Sequence, residues 1–342
     1  MTITTQSDTF YLPDFTKHWP VERYINPHHK EVGEACYQWW ESLGFMSKKH
    51  IAAMRGADAA LCVSIACPKF SREHLQVAID ETILFFMLDA ACEPATAAQA
   101  LYIKEISMDA FRNPHKPRPK DEPIWGEISR KWWLRALPDV PTELVERMVR
   151  NFEDWFNGTC SEVINRENNT IPNTLADYFP VRRQSIGCRA AFDLSLLPVK
   201  IPENILEHPQ MIEFATNAID LGIFINDAVS YNLEQSNGDT YSLVNILMTQ
   251  QSMTLQEAMD WIGRAFEETS NKFLDGMRSH PPCEDEVILK DIIIYQEALR
   301  DWITTALYWS FECGKYFPKD EAAIIMKERK VVLLPKVTDK NF

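Results

Sequence analysis

Apolar residues recur along this chain at three- and four-residue steps rather than alternating, the signature of helices that each bury one face. The pattern predicts helices at about 29–43, 46–66 with a break near Gly56, 71–92, 94–111, 123–136, 140–165, 173–192, 203–235, 240–250, 254–279 and 284–316. Turn-forming residues punctuate them: Gly44, the proline-rich run from Arg112 to Lys120, Asn168-Asn169-Thr170-Ile171-Pro172, and Ser236-Asn237-Gly238-Asp239. Residues 1–28 are broken by prolines and read as a segment wrapping the surface. Residues 318–342 read as a C-terminal tail whose apolar Val331-Val332-Leu333-Leu334-Pro335 fits no single element. No repeat, low-complexity linker or composition shift divides the chain, so one all-α domain of roughly ten to twelve helices over 1–342 is the simplest reading.

Composition supports that class. Glycine is scarce at 11, against 18 Phe, 10 Trp and 10 Tyr. The net charge of -14 makes a phosphate-backbone partner a poor match, which argues against nucleic acid. The eight cysteines form no CxxC and match no zinc spacing. Several lie in apolar runs, such as Cys62, and read as small core residues of a reduced, cytoplasmic protein. The N-terminus has neither a basic start nor an apolar stretch, so no secretory leader is expected, and no apolar run is long enough for a transmembrane helix.

The chemistry concentrates in Asn226-Asp227-Ala228-Val229-Ser230-Tyr231-Asn232-Leu233-Glu234. On a helix, steps of four drift by only about 40°, so Asn226, Ser230 and Glu234 line one face over roughly 12 Å of axis. A carboxamide, a hydroxyl and a carboxylate are hard oxygen donors of the kind Mg²⁺ accepts. The run before them, Ile219 to Ile225, is largely apolar, so the row enters a buried setting where unpartnered polar groups are costly. A metal ion would supply the partner; a solvated helix face is the plainer alternative.

A second acidic pair, Asp89 and Glu93, follows the apolar Ile83 to Leu88 at an i, i+4 spacing, with Pro94 ending the helix. Two such helices face to face could hold a metal cluster, and a pocket with several Mg²⁺ ions wants an anion such as a diphosphate. Basic partners stand in Arg182-Arg183-Gln184-Ser185-Ile186-Gly187 and in Trp309-Ser310-Phe311-Glu312-Cys313-Gly314-Lys315-Tyr316. Gly187 within a helical pattern suggests a kink or a close approach.

This order of motifs resembles the microbial class I terpene synthases, in particular the fungal sesquiterpene cyclases, over most of the chain from Asn26 to Tyr316. In that resemblance Asn226, Ser230 and Glu234 complete the second metal-binding signature. Asp89 and Glu93 match the first and last acids of the aspartate-rich motif. Arg183, four residues before Gly187, matches the diphosphate-sensing arginine, Ile186 and Gly187 the linker and effector, and Lys315 with Tyr316 the terminal Arg-Tyr pair. It implies a helical bundle around a central apolar cavity, three Mg²⁺ ions, and a prenyl diphosphate substrate, usually farnesyl diphosphate. Arg183, Lys315 and Tyr316 are then expected to bind diphosphate, while Asp227 is expected to support the site by pairing with Arg183 or Lys315. Phe85, Phe86 and Trp309, and less strongly Tyr231 and Tyr308, are expected on the wall. There, aromatic faces would stabilise carbocations and the cavity would exclude water. The oligomeric state stays open, a homodimer included.

Three positions depart from the family pattern. Ala90 replaces the second acid, Lys315 the usual Arg, and Leu233 the Lys often found beside the last Glu. A lysine holds diphosphate as a point charge without the bidentate fork of arginine. Three other readings compete. A trans-prenyltransferase needs aspartate-rich motifs on both walls, and a carboxylate-bridged metal oxidase needs Glu-x-x-His pairs that this chain lacks. The third is a helical interaction protein without catalysis.

Overall fold

The computed structural model describes residues 9–17 and 19–337, so the leader-peptide expectation for residues 1–8 lies outside the described residues. The chain runs from β1 (Thr9–Tyr11) through α1 (His29–Ser42), α2 (Lys48–Ala57), α3 (Ala59–Ala66), α4 (Arg72–Cys92) and α5 (Ala97–Arg112). It continues through α6 (Ile124–Ala136), α7 (Thr142–Glu167), α8 (Leu175–Ser185), α9 (Cys188–Leu194) and α10 (Glu203–Leu206). The long α11 (Pro209–Asn237) precedes α12 (Leu243–Gln250), α13 (Leu255–Gly276), α14 (Glu286–Glu312), α15 (Lys319–Glu328) and β2 (Lys330–Val332). Among the described residues no helix is long and apolar enough to cross a membrane.

Two helices are buried on nearly all sides. On α4 every residue from Val77 to Leu84 is buried, and on α11 the same holds from Asp227 to Asn232. A helix buried all round sits inside a bundle rather than at its surface. The others pack around these two with one apolar face each, as α13 does through Leu255, Met259, Ile262, Phe266 and Phe273.

Helix starts follow local chemistry. Ser47, Ser71, Thr96, Thr174, Ser242 and Thr254 each accept the third backbone N–H of the helix they begin. Thr96 with Gln99, and Thr254 with Glu257, complete capping boxes.

Several expected boundaries shift, each for a stated reason. The break in 46–66 falls at Asp58, not Gly56. Asp58 is left-handed at φ 50 and caps α3 by accepting Leu61 N–H, a conformation its short polar side chain supports. The span 203–235 is cut at His208, where the restraint Pro209 places on its predecessor drives the chain extended. The span 173–192 is cut at Gly187, with φ 76. The last long helix stops at Glu312, so Lys315 and Tyr316 lie on a loop rather than on the expected helix.

The N-terminal segment does not simply wrap the surface. Phe10, Leu12, Phe15 and Trp19 enter the core, and buried Asn26 donates to the carbonyls of Cys67 and Phe70 at 2.9 and 3.0 Å. The ambiguous Val331 segment is a strand: Phe10 and Val331 stand opposite each other in the antiparallel β1–β2 ribbon. The residues after it strap across the end of α11, where Asn232 donates to Val332 O and Ser236 O accepts from Val337.

Trp19 tests that anchoring. Its indole donates to Thr304 at 2.9 Å and packs between Phe266 and Phe273. Replacing it with Ala should cost about 3–5 kcal/mol by lost burial and the cavity left behind. Chemical denaturation that shows less than about 1 kcal/mol would place the segment outside the cooperative fold.

Candidate active site

The long α4, α11 and α14 enclose, with α7, α8 and α9, a cavity of about 390 Å³. That lies within the roughly 300–1,000 Å³ typical of small-molecule sites. Its two ends differ in chemistry. At the later ends of α4 and α11 the wall carries Asp89, Glu93, Asn226, Ser230, Glu234 and Asp239. Toward their earlier residues it carries Phe85, Ala218 and Gly222, with Phe192, Leu194 and Trp302 from α9 and α14.

The structure thus brings the two expected acidic walls to one pocket. Asp89 is open to water at the cavity mouth, yet the protein packed around it raises its carboxyl above the usual range by desolvation, partly offset by Lys315 and Arg182. Glu93 is raised in the same direction by burial and by Asp89. Glu234 is pushed up to about 8, chiefly by burial and then by the charge of Asp227. Ser230 Oγ is buried without a hydrogen bond of ordinary geometry, although it lies near enough to ease the burial of Glu234. Hard oxygen donors and carboxyls raised by desolvation on facing walls suit a divalent cation, whose charge would favour the deprotonated forms. Among the described residues no three His, Cys, Asp or Glu side chains gather closely enough to hold an ion alone. The amide and hydroxyl on α11 therefore count as donors, and further oxygens must come from an anionic ligand.

Of the two neighbouring arginines, the structure brings Arg182 to the cavity rather than Arg183. Arg183 does not line the cavity; it makes a two-pronged pair with Asp220, both contacts 2.7 Å, and lies over the Phe179 ring. Arg182 lines it instead. It donates to Asp227 Oδ1 at 2.8 and 3.1 Å and to Asn226 Oδ1 at 2.7 Å, with Glu162 4.0 Å away. Neighbours on a helix point about 100° apart, so spacing to Gly187 alone cannot separate them. The missed signal is Tyr178, one turn before Arg182, whose hydroxyl donates to the same Asp227 carboxylate. Asp227 is only 1% exposed and also accepts the Leu243 N–H at 2.8 Å, so it pairs with Arg182 rather than Arg183 or Lys315. Glu162, likewise absent from the sequence expectations, accepts from Ser185 and is pushed up to about 7 by burial.

Asn226 is engaged at both ends. Its Oδ1 accepts from Arg182, and its Nδ2 donates to Tyr316 OH at 3.1 Å. Asn226 Oδ1 keeps a second lone pair that could serve an ion, and a cation there would sit beside the guanidinium of Arg182. Lys315 and Tyr316 reach the cavity from their loop, with the Lys315 ammonium 5.8 Å from the Phe86 ring and 5.2 Å from that of Tyr316.

The expected wall aromatics Phe85, Phe86 and Trp309 all line the cavity. Phe86 stacks on Trp309 at 5.6 Å, and the Trp309 indole is fixed by the carbonyls of Ala57 and Asp58. Tyr231 and Tyr308 do not line it: Tyr231 packs edge-on against Phe10, and Tyr308 lies under Arg23. Phe192, Tyr241 and Trp302 take wall positions that periodicity could not distinguish from core.

Gly187 closes the break between α8 and α9. A Cβ there would meet Phe85 Cζ at 2.1 Å, so the glycine supplies both the left-handed turn and the room for a wall aromatic. Gly187→Ala should cost on the order of 1–2 kcal/mol from the backbone alone. It should also displace Phe85. An unchanged melting temperature together with unchanged ligand binding would show the break to be tolerant.

The segment 80–272 matches a family model described as terpene synthase family 2, C-terminal metal binding. Sesquiterpene synthase 14 of Postia placenta is 34% identical over 98% of this chain and 95% of its own length. A delta(6)-protoilludene synthase of Armillaria gallica is 30% identical over 98% and 96%. Hedycaryol synthase, solved with HEPES, superposes with a TM-score of 0.75 at 19% identity, covering 89% of this chain and 99% of that one. Germacradien-4-ol synthase from Streptomyces citricolor gives 0.71 at 19%, over 85% and 96%. With matched segment, full-length relatives and helical architecture in agreement, the chain belongs to the terpene synthase family, as a fungal-type class I member.

Proposed function

We propose that this chain is a Mg²⁺-dependent sesquiterpene cyclase that ionises farnesyl diphosphate and cyclises the resulting cation within one domain. One observation carries the reading: one cavity, open at its charged mouth, has hard-oxygen donors and cations at that end and mostly aromatic and apolar walls farther in. That polarity suits a ligand with a charged head and a hydrocarbon tail. The activities named for the full-length fungal relatives point the same way.

Asp89 and Glu93 on one wall, and Asn226, Ser230 and Glu234 on the other, would hold the Mg²⁺ ions, three by the family resemblance. Bound there, the ions supply the positive charge that stabilises the departing diphosphate. Arg182 and Lys315 add fixed charge at the same end, and Tyr316 adds a hydroxyl donor. Moving Arg182 from Asn226 toward the anion would shift α8 and the Gly187 break that follows it against Phe85 on α4. Farther in, Phe85, Phe86 and Trp309 present ring faces to the carbocation while the closed wall keeps water out. The eight unpaired thiols favour a reducing, cytoplasmic setting.

Gas chromatography with mass spectrometry after incubation with farnesyl diphosphate should show a cyclic C15 product only when Mg²⁺ is present. No product from C10, C15 or C20 diphosphates would remove the reading. The two neighbouring arginines separate two variants. Arg182→Ala should lower kcat/KM by at least a hundredfold, whereas Arg183→Ala, which loses only its pair with Asp220, should stay within about tenfold. The reverse order would restore Arg183 to the site.

Ion binding should also follow the raised carboxyl of Glu234. The ion takes the deprotonated form, so below about pH 8 a proton competes for this ligand. Calorimetry of Mg²⁺ with pyrophosphate should show apparent affinity falling by roughly tenfold per pH unit from 8 toward 6, with proton release on binding. A flat profile would exclude Glu234 as a ligand.

A further inference from the structure

Glu81 lines the same cavity but stands apart from the grip on the anion. On α4 it precedes Asp89 by eight residues, about 12 Å of helix axis. On α11 the lining begins at a matching depth, with Ala218 eight residues before Asn226, and on α14 with Trp302 seven before Trp309. Glu81 therefore sits at the hydrocarbon end. It is 2% exposed, and its Oε2 has no hydrogen-bond partner. The nearby acids are otherwise served: Asp80 pairs with Arg135, and Asp193 with Arg147 and Asn151. Among the described residues no cation offsets Glu81. Burial and then the charge of Asp193 hold its carboxyl well above the usual range, which favours the protonated form.

A buried acid that bonds to nothing weakens the fold, and an apolar side chain would fill its place better. Its position against the tail of a bound prenyl ligand supplies a reason to keep it. We infer that Glu81 is a proton-transfer group for the hydrocarbon in the cavity, protonating a neutral cyclised olefin and later taking a proton back. The inference rests on the proposed cyclase activity.

The steps balance within the pocket. A cation that loses a proton to the released diphosphate leaves a neutral olefin. The Glu81 O–H bond then breaks, and the π pair of the olefin forms a new C–H bond. The adjacent carbon becomes cationic, and Glu81 becomes a carboxylate. When that second cation loses a proton from a neighbouring carbon, the C–H pair becomes the final C=C bond. The proton returns to Glu81, and no outside oxidant or acid is consumed.

The test uses the full chain with farnesyl diphosphate and Mg²⁺ in H₂O and D₂O, following diphosphate release and the mass of the hydrocarbon. The wild-type product should carry one carbon-bound deuterium from D₂O. In Glu81→Gln, Mg²⁺-dependent diphosphate release should persist. The labelled product should fall at least tenfold in favour of a less cyclised, unlabelled olefin. Glu81→Leu should do the same with a melting temperature equal to or above that of wild type, since nothing bonds to the carboxyl. Absence of carbon-bound deuterium in the wild-type product overturns the inference, as does equal labelling in either variant. So does loss of diphosphate release in a folded variant, which would place Glu81 in ionisation, and so does failure of both variants to fold. Absence of diphosphate release from the wild type removes the cyclase reading itself and this inference with it.

Discussion

The site depends on one buried carboxylate. Asp227 is almost completely sealed from water, and a charge there persists only if its oxygens are filled. They are filled by Tyr178 and Arg182 from α8 and by the first backbone N–H of α12. Three helices are thereby fixed to one another, and α8 is held in the register that turns Arg182 toward the cavity. Removing Asp227 would leave Arg182 as a buried charge without its main partner, a costlier state than losing the pair as a whole.

From that anchor a chain of contacts leads to the metal-type wall. Arg182 also holds Asn226, Asn226 holds Tyr316, and Tyr316 stands edge-on to Trp309, which stacks on Phe86. Charge recognition and the shape of the apolar wall are consequently parts of one connected structure. The acids at the mouth, Asp89, Glu93, Glu162 and Glu234, are all raised chiefly by desolvation, so gathering four negative charges there is unfavourable. Cations bound as proposed would relieve that burden.

Much of this was readable before any coordinates. The four-residue spacing of Asn226, Ser230 and Glu234, and of Asp89 and Glu93, needs only helical geometry to put each set on one face, and both sets line the cavity. Long helices such as α4 and α7 were visible from period alone, because uninterrupted apolar faces leave few other solutions. What escaped depends on contacts between distant residues. Arg182 and Arg183 differ by one turn angle, and only the positions of Asp227 and Asp220 tell them apart. Asp58 adopts a backbone conformation more often associated with glycine, so the break was assigned to Gly56. Val331 pairs with Phe10 across most of the chain, a pairing no local window contains. Phe192 and Trp302 have the same periodicity as core residues, and only the void beside them makes them wall.

The two ends of the cavity also divide the molecule's evolutionary freedom. Residues about two helical turns apart on the same buried helices line different ends of the cavity: Asp89 and Asn226 its charged mouth, Glu81 and Ala218 its inner end. Drift at the inner end can alter which carbons meet without touching the machinery that starts the reaction. A handful of inward-facing positions can therefore reshape the cavity floor while the charged mouth stays as it is.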